Sequence, residues 1–199
     1  MSQKNTLTKQ KRNLTKQKII EVTFELADEI GLNKVTFQKI AEKLGIKYPS
    51  LYNHFKNMDN LKLEMTISSL NKLNTILTQG LIGKSGEDAI KEFSKLYKNF
   101  AFENRTAYEL FLSVPTIGND DIYDLTRETV NIIVQILSIY TDNRTYLVHK
   151  SRALRSSLHG FISLYFFGYF QGEVDLEESF EFLVEDFIYS LPRIANKDS

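Results

Sequence analysis

The stretch Thr36-Phe37-Gln38-Lys39-Ile40-Ala41-Glu42-Lys43-Leu44-Gly45-Ile46-Lys47-Tyr48-Pro49-Ser50-Leu51-Tyr52-Asn53-His54-Phe55 decides how the chain folds. Thr36 is a helix N-cap residue, with a side-chain oxygen suited to a first-turn N–H. Phe37, Ile40, Ala41 and Leu44 then recur at helical spacing, and Gly45 supplies the stop. Pro is favoured in a first helical turn, where its missing N–H costs nothing. A further short helix therefore starts near Tyr48 or Pro49 and runs to about Phe55. Two short amphipathic helices around the tight turn Leu44-Gly45-Ile46 have the layout of a helix-turn-helix, whose second helix enters the DNA major groove. Ile40, Ala41, Ile46 and Leu51 are expected to hold the pair together, with Leu51 and Phe55 facing inward. Lys47, Tyr48, Ser50, Asn53 and His54 are left for the outer face.

Upstream, Thr15 caps a helix carrying Ile19, Val22, Thr23, Leu26, Ala27 and Ile30, which Gly31 ends. Residues 1–14 lack periodicity and read as a flexible basic arm with Lys4, Lys9, Lys11 and Arg12. Downstream, Asp59 is the expected cap of a longer helix bearing Leu61, Met65, Leu70, Leu73 and Leu77. Further helices are predicted over 86–103, 106–112, 120–140, 144–171 and 176–191, with a loop over Ser113–Asn119 that contains Pro115. No strand alternation of useful length appears. The fold class is all-α, with about nine helices: a three-helix head over 15–56 and a larger helical body over 57–199.

Composition narrows the function. The 199 residues are 42% hydrophobic and 25% charged, as in an ordinary globular protein with a proper core. The absence of cysteine excludes disulfides, thiolate metal sites and Cys nucleophiles. Only three histidines are present, and His149 and His159 fall nearly three turns apart on one helix, so no metal site is expected. Asp120, Asp121 and Asp124 fit the start of a helix, where negative charge is favoured, better than a metal cluster. Neither a nucleophile–base pair nor a phosphate-binding loop is visible, so no enzyme activity and no cofactor are expected. The net charge is zero, but residues 1–60 carry 11 Lys/Arg against 6 Asp/Glu, a basic module on an acidic remainder. The longest apolar run, Leu158–Phe170, is too short for a membrane span. The N-terminus has no apolar segment of the signal-peptide kind, which gives the expectation of a cytoplasmic protein without membrane association.

The stretch from Val35 to Ile46, followed by Pro49-Ser50-Leu51-Tyr52-Asn53-His54-Phe55-Lys56-Asn57, resembles the DNA-binding domain of the TetR (tetracycline repressor) family. The resemblance extends from Thr15 to about Leu63. It implies a homodimer whose heads bind double-stranded DNA and whose bodies dimerise and bind an effector. It places Thr36, Tyr52, His54 and Lys56 where DNA phosphates are held, and Lys47, Tyr48, Pro49, Ser50 and Asn53 where base edges or groove walls are met. Many members carry Lys or Arg where this chain has Met58, so no phosphate contact is expected from Met58, and Lys56 or Lys62 is the expected substitute. Arg152–Leu164, with Leu158-His159-Gly160 at its centre, is similar to a subgroup of the family with a His-Gly pattern in a long helix. The implied function is a repressor released from a pseudo-palindromic operator by a small apolar or amphipathic effector. Dimerisation is expected through the last two helices, and Tyr97, Phe100, Tyr108, Phe111 and His159 are the candidate pocket residues. The alternative is a protein-interaction adaptor that keeps the fold without specific DNA binding; the retained basic, polar outer face argues against it.

Overall fold

A computed structural model describes residues 14–113 and 118–192. The expected basic arm, apart from Leu14, and the Pro115 part of the expected loop lie outside the described residues. These residues form eight α-helices: α1 (Lys16–Ile30), α2 (Phe37–Leu44), α3 (Met58–Gly80), α4 (Gly86–Glu103), α5 (Arg105–Leu112), α6 (Asp120–Leu137), α7 (Arg144–Phe166) and α8 (Leu176–Tyr189). A 3₁₀ helix over Tyr48–Asn53 completes the nine that periodicity implies, and a short 3₁₀ turn covers Leu32–Lys34. No strand occurs among the described residues, nor is any of these helices long and apolar enough to cross a membrane.

The chain forms two compact units. One takes the residues through Ser69 together with Asn104–Ile122; the other takes Leu70–Glu103 and the residues from Tyr123 onward. Caps and glycines set the helix limits in the first unit. The Thr15 hydroxyl accepts from Lys18 N–H at 3.1 Å and the Thr36 hydroxyl from Lys39 N–H at 3.4 Å. Gly45 has φ +64°, a left-handed conformation that L side chains avoid. It lets Gly45 N–H reach Glu42 C=O at 3.1 Å and Ile46 N–H reach Ala41 C=O at 3.0 Å, a Schellman closure. The start of α3 differs from expectation. Asn57 Oδ1 takes the Asn60 N–H at 2.8 Å, so Asn57 does the capping. Asp59 lies inside the first turn, where its charge favours the helix N-terminus.

The core of this unit is a cluster that includes Ile19, Ile40, Leu51, Phe55, Leu61 and Met65, each at most 1% exposed. Leu110 of α5 belongs to the same cluster. Beside it, the buried Thr106 hydroxyl donates to Asp28 Oδ1 at 2.5 Å, tying α5 to α1.

In the second unit a buried polar network joins the later part of α3 to α6. Asn74 Nδ2 donates to Leu125 C=O (2.9 Å) and Glu128 Oε2 (3.1 Å), and its Oδ1 accepts from the Thr129 hydroxyl (2.6 Å). All of these groups are paired, as burial demands. Lys98, almost fully buried on α4, is ion-paired with Glu177 of α8. Its ammonium stands 4.5 Å from the Phe180 ring centre, a cation–π contact. Phe161 packs against Phe170 and Phe180 at 4.8 and 5.1 Å between centres.

Three α-helix ends fall earlier than periodicity suggests, that of α8 at Tyr189 instead of Leu191. α7 stops at Phe166 instead of continuing to Gln171. Gly168, at φ +71°, closes it, with Tyr169 N–H bonded to Leu164 C=O at 3.0 Å. α6 likewise ends at Leu137 instead of Tyr140. Ser151 on α7 is 1% exposed, and its Oγ has no hydrogen-bond partner among the described residues. An unmatched buried hydroxyl carries its desolvation cost uncompensated. Ser151→Ala is therefore expected to raise the stability of the protein by about 1 kcal/mol in urea unfolding; a loss of stability would show that Oγ has a partner in solution.

Candidate nucleic-acid interface

The segment after Gly45 is built to show one face and hide the other. Lys47 is extended, and its carbonyl accepts from Ser50 N–H at 2.9 Å, opening a 3₁₀ helix with Pro49 in its first turn. Leu51 C=O accepts from His54 N–H at 2.9 Å and Phe55 N–H at 3.0 Å, which closes it. Leu51 and Phe55 are buried in the core, as their inner-face position requires. Lys47, Tyr48, Pro49, Tyr52, Asn53 and Lys56 are exposed, Ser50 and His54 are half-buried, and Thr36 is exposed at the start of α2. The nine residues expected at a DNA interface thus all retain solvent access, carried by the 47–56 segment and the adjoining end of α2.

The lysines of this unit divide by partner. Lys16 pairs with Glu64 at 3.2 Å, Lys43 pairs with Glu29 at 2.5 Å, and the Lys39 ammonium donates to Lys34 C=O at 3.0 Å. Lys47 and Lys56 form no salt bridge among the described residues. Their charge is available to an external anion.

Aromatic rings run from the core to this surface. Phe37, buried, meets the Tyr52 ring edge-on at 5.2 Å between centres. Tyr52 meets Tyr48 edge-on at 5.3 Å, and the two hydroxyls share a 2.5 Å hydrogen bond. That bond, with a smaller contribution from desolvation, holds the Tyr52 phenol above its ordinary pKa. Thr36, Phe37, Gln38, Tyr48, Tyr52, Asn57 and Met58 line an open groove here.

The five expected pocket residues are divided between the units. Tyr108 and Phe111 belong to the first; Tyr97, Phe100 and His159 belong to the second. Within the second, Tyr97 Oη and His159 Nε2 are hydrogen-bonded at 3.0 Å, joining α4 to α7. Two clefts of this unit are lined by other residues. One of about 330 Å³ runs between α4 and α8 and includes Lys91, Lys95, Glu177 and Phe180. The other, about 320 Å³, includes Ile82, Ile132, Ile136 and Ile139.

Burial, with a smaller effect of the neighbouring Arg155 charge, lowers the His159 pKa. An unfolded imidazole titrates near ~6.5, so as pH falls through that value the unfolded chain takes up a proton that the folded chain refuses. Stability contributed by neutral His159 is present at higher pH and declines as pH drops below about 6.5. Thermal melting at pH 7.5 and pH 5.5 is expected to show a larger loss for the native chain than for His159→Phe. Equal losses would remove His159 from the account.

A tight turn at Gly45 between α2 and a segment anchored by the buried Leu51 and Phe55, with an exposed, partly cationic outer face, defines a helix-turn-helix protein. Comparison with known proteins gives the family. Residues 19–65 match the family described as bacterial regulatory proteins, tetR family, and residues 90–187 match the tetracyclin repressor-like C-terminal domain. The chain is 30% identical over 188 residues to the uncharacterized HTH-type transcriptional regulator YobS of Bacillus subtilis, covering 93% of this chain and 96% of that one. It is 28% identical to the uncharacterized HTH-type transcriptional regulator Rv0681 of Mycobacterium tuberculosis, over 76% of this chain and 70% of that one. Among solved structures, the putative regulatory protein SCO4313 shares the fold with a TM-score of 0.74 at 22% identity, over 86% of this chain and 94% of that one. The chain belongs to the TetR family of transcriptional regulators, a family of DNA-binding proteins rather than enzymes.

Proposed function

We propose that the chain is a homodimeric repressor that leaves a pseudo-palindromic operator when a small apolar or amphipathic molecule occupies its second unit. The carrying observation is the 47–56 segment: Leu51 and Phe55 anchor it in the core, while its polar and cationic residues stay in solvent. In this proposal Thr36, Tyr52, His54 and Lys56 hold phosphates and set register. By position, Lys47, Tyr48, Pro49, Ser50 and Asn53 face base edges or groove walls and set sequence preference. Asn53 suits adenine, and the Pro49 ring suits a thymine methyl.

Dimerisation through α7 and α8 is supported by the apolar surface they carry. Leu164, Tyr165, Phe182 and Tyr189 are 41%, 40%, 67% and 83% exposed. Apolar side chains of this size in water are the material of an obligate interface. Two heads in one dimer would meet successive major grooves, roughly 34–36 Å apart. The effector acts only if it distinguishes DNA-competent from incompetent states, and DNA then opposes the effector by the same coupling free energy. Of the five candidate pocket residues, Tyr97, Phe100 and His159 belong to the second unit and are the proposed effector contacts.

The test is affinity selection of random double-stranded DNA on the full chain, with winners re-measured at two salt concentrations and mass followed by light scattering. A two-fold-symmetric site, steep salt dependence and a mass near twice 23.1 kDa are expected. Absence of any enriched site, or a monomeric mass, would overturn the proposal.

A further inference from the structure

The Tyr48–Tyr52 pair carries more than the exposure of two phenols. In a 3₁₀ helix, residues four apart lie roughly a third of a turn from one another, not stacked as on an α-helix. The two side chains nevertheless converge until their hydroxyls share a 2.5 Å hydrogen bond. Tyr52 is held from the other side by the buried Phe37, ring edge to ring face. A row Phe37–Tyr52–Tyr48 therefore runs outward from the core, each ring set at a steep angle to the next.

We propose that Tyr48 is a positioning residue for Tyr52: the two phenols act as one hydrogen-bond donor toward a single DNA phosphate, and Tyr48 reads no base. This rests on the DNA-binding proposal above and refines it, because position alone sets Tyr48 among the base-reading residues. Each phenol has one proton. In the pair one proton is spent internally, so one O–H remains for an outside acceptor. The hydroxyl whose oxygen accepts the internal bond is polarised by it and donates outward more strongly. Holding both rings before DNA arrives also lowers the ordering cost of the contact. A tyrosine that read a base edge would need its hydroxyl directed into the groove; here it is turned back onto its neighbour.

The experiment uses the full chain with Tyr48→Phe, Tyr52→Phe and both together, each retaining the ring contacts, with helicity checked by circular dichroism. Affinity is measured for the selected DNA site and for its single-base variants. Tyr52→Phe is expected to bind about tenfold more weakly, the loss of one charge-assisted hydrogen bond, whereas Tyr48→Phe keeps the Tyr52 O–H, loses only its positioning and polarisation, and is expected to bind about threefold more weakly. The double variant is expected to bind no more weakly than Tyr52→Phe, since Tyr48 acts only through the Tyr52 hydroxyl. The ranking of single-base variants by Tyr48→Phe should match that of the native chain. Additive losses, an unaffected Tyr48→Phe, or a changed preference at one base position would overturn the proposal. If the native chain selects no DNA sequence, the DNA-binding proposal itself fails, a result visible before any variant is compared.

Discussion

Phe55→Ala is expected to destabilise the DNA-binding unit by about 3–5 kcal/mol, the usual cost of removing a buried aromatic ring. The ring is 1% exposed and belongs to the cluster with Ile19, Ile40, Leu51, Leu61 and Met65. The segment that carries it is short, and its 3₁₀ hydrogen bonds are individually weak. It keeps its shape because Leu51 and Phe55 are pinned, so loss of the ring releases the whole 47–56 face. A loss of this size is a large share of the roughly 5–15 kcal/mol that holds a domain together. Urea unfolding followed by helicity should show an early transition, and specific DNA binding should fall with it. A comparison variant, Tyr52→Ala, removes a half-exposed ring of the same segment and is expected to weaken DNA binding with a much smaller change in stability. If Phe55→Ala cost less than about 1 kcal/mol, the core assignment of this ring would be wrong.

Removing Lys47 and Lys56 together is expected to weaken binding to the selected DNA by about a hundredfold at low salt. The salt dependence should change as well. Each lysine that neutralises a phosphate contributes about 1 to the slope of log affinity against log salt, so a dimer losing Lys56 from each subunit should flatten by about 2, while the loss of Lys47 weakens binding at the groove. The contrast is Lys43→Ala. Lys43 is already committed to Glu29, at 2.5 Å, and to Glu25. Its loss is expected to leave the slope unchanged, with at most a small effect on stability. A slope that responds to Lys43 but not to Lys47 and Lys56 would refute the division of these lysines by partner.

Local signals in the sequence were enough to place most helices, because caps and left-handed glycines act through their own neighbours. Thr15, Thr36, Gly31 and Gly45 all end or begin helices where their chemistry predicts. Residue type points to Asp59 as the cap of α3, but the side chain that reaches a first-turn N–H, that of Asn60, is Asn57. The aromatic run after Phe161 concealed the end of α7. Composition continues apolar through Phe170, while the stop depends on the backbone angle of Gly168. The 3₁₀ character of 48–53 is likewise invisible to hydrophobic periodicity over so few residues. For the candidate site, exposure of the outer face followed from the burial of Leu51 and Phe55. The Tyr48–Tyr52 bond did not, since it depends on side-chain angles. Tyr97 and His159 are 62 residues apart, and only the packing of α4 against α7 brings them together.

The placement of Leu110 in the head's core has a consequence for synthesis and for engineering. A unit closed by a segment drawn from beyond Glu103 cannot finish folding on the ribosome when its first 69 residues emerge. It must wait, with part of its apolar surface open, until α5 has left the exit tunnel. A chimera that transplants the head by cutting after Ser69 would inherit the same gap permanently, and the recipient would have to supply an apolar residue in place of Leu110 and a partner for Asp28 in place of Thr106. Recombination between relatives should succeed when both segments are exchanged as a set.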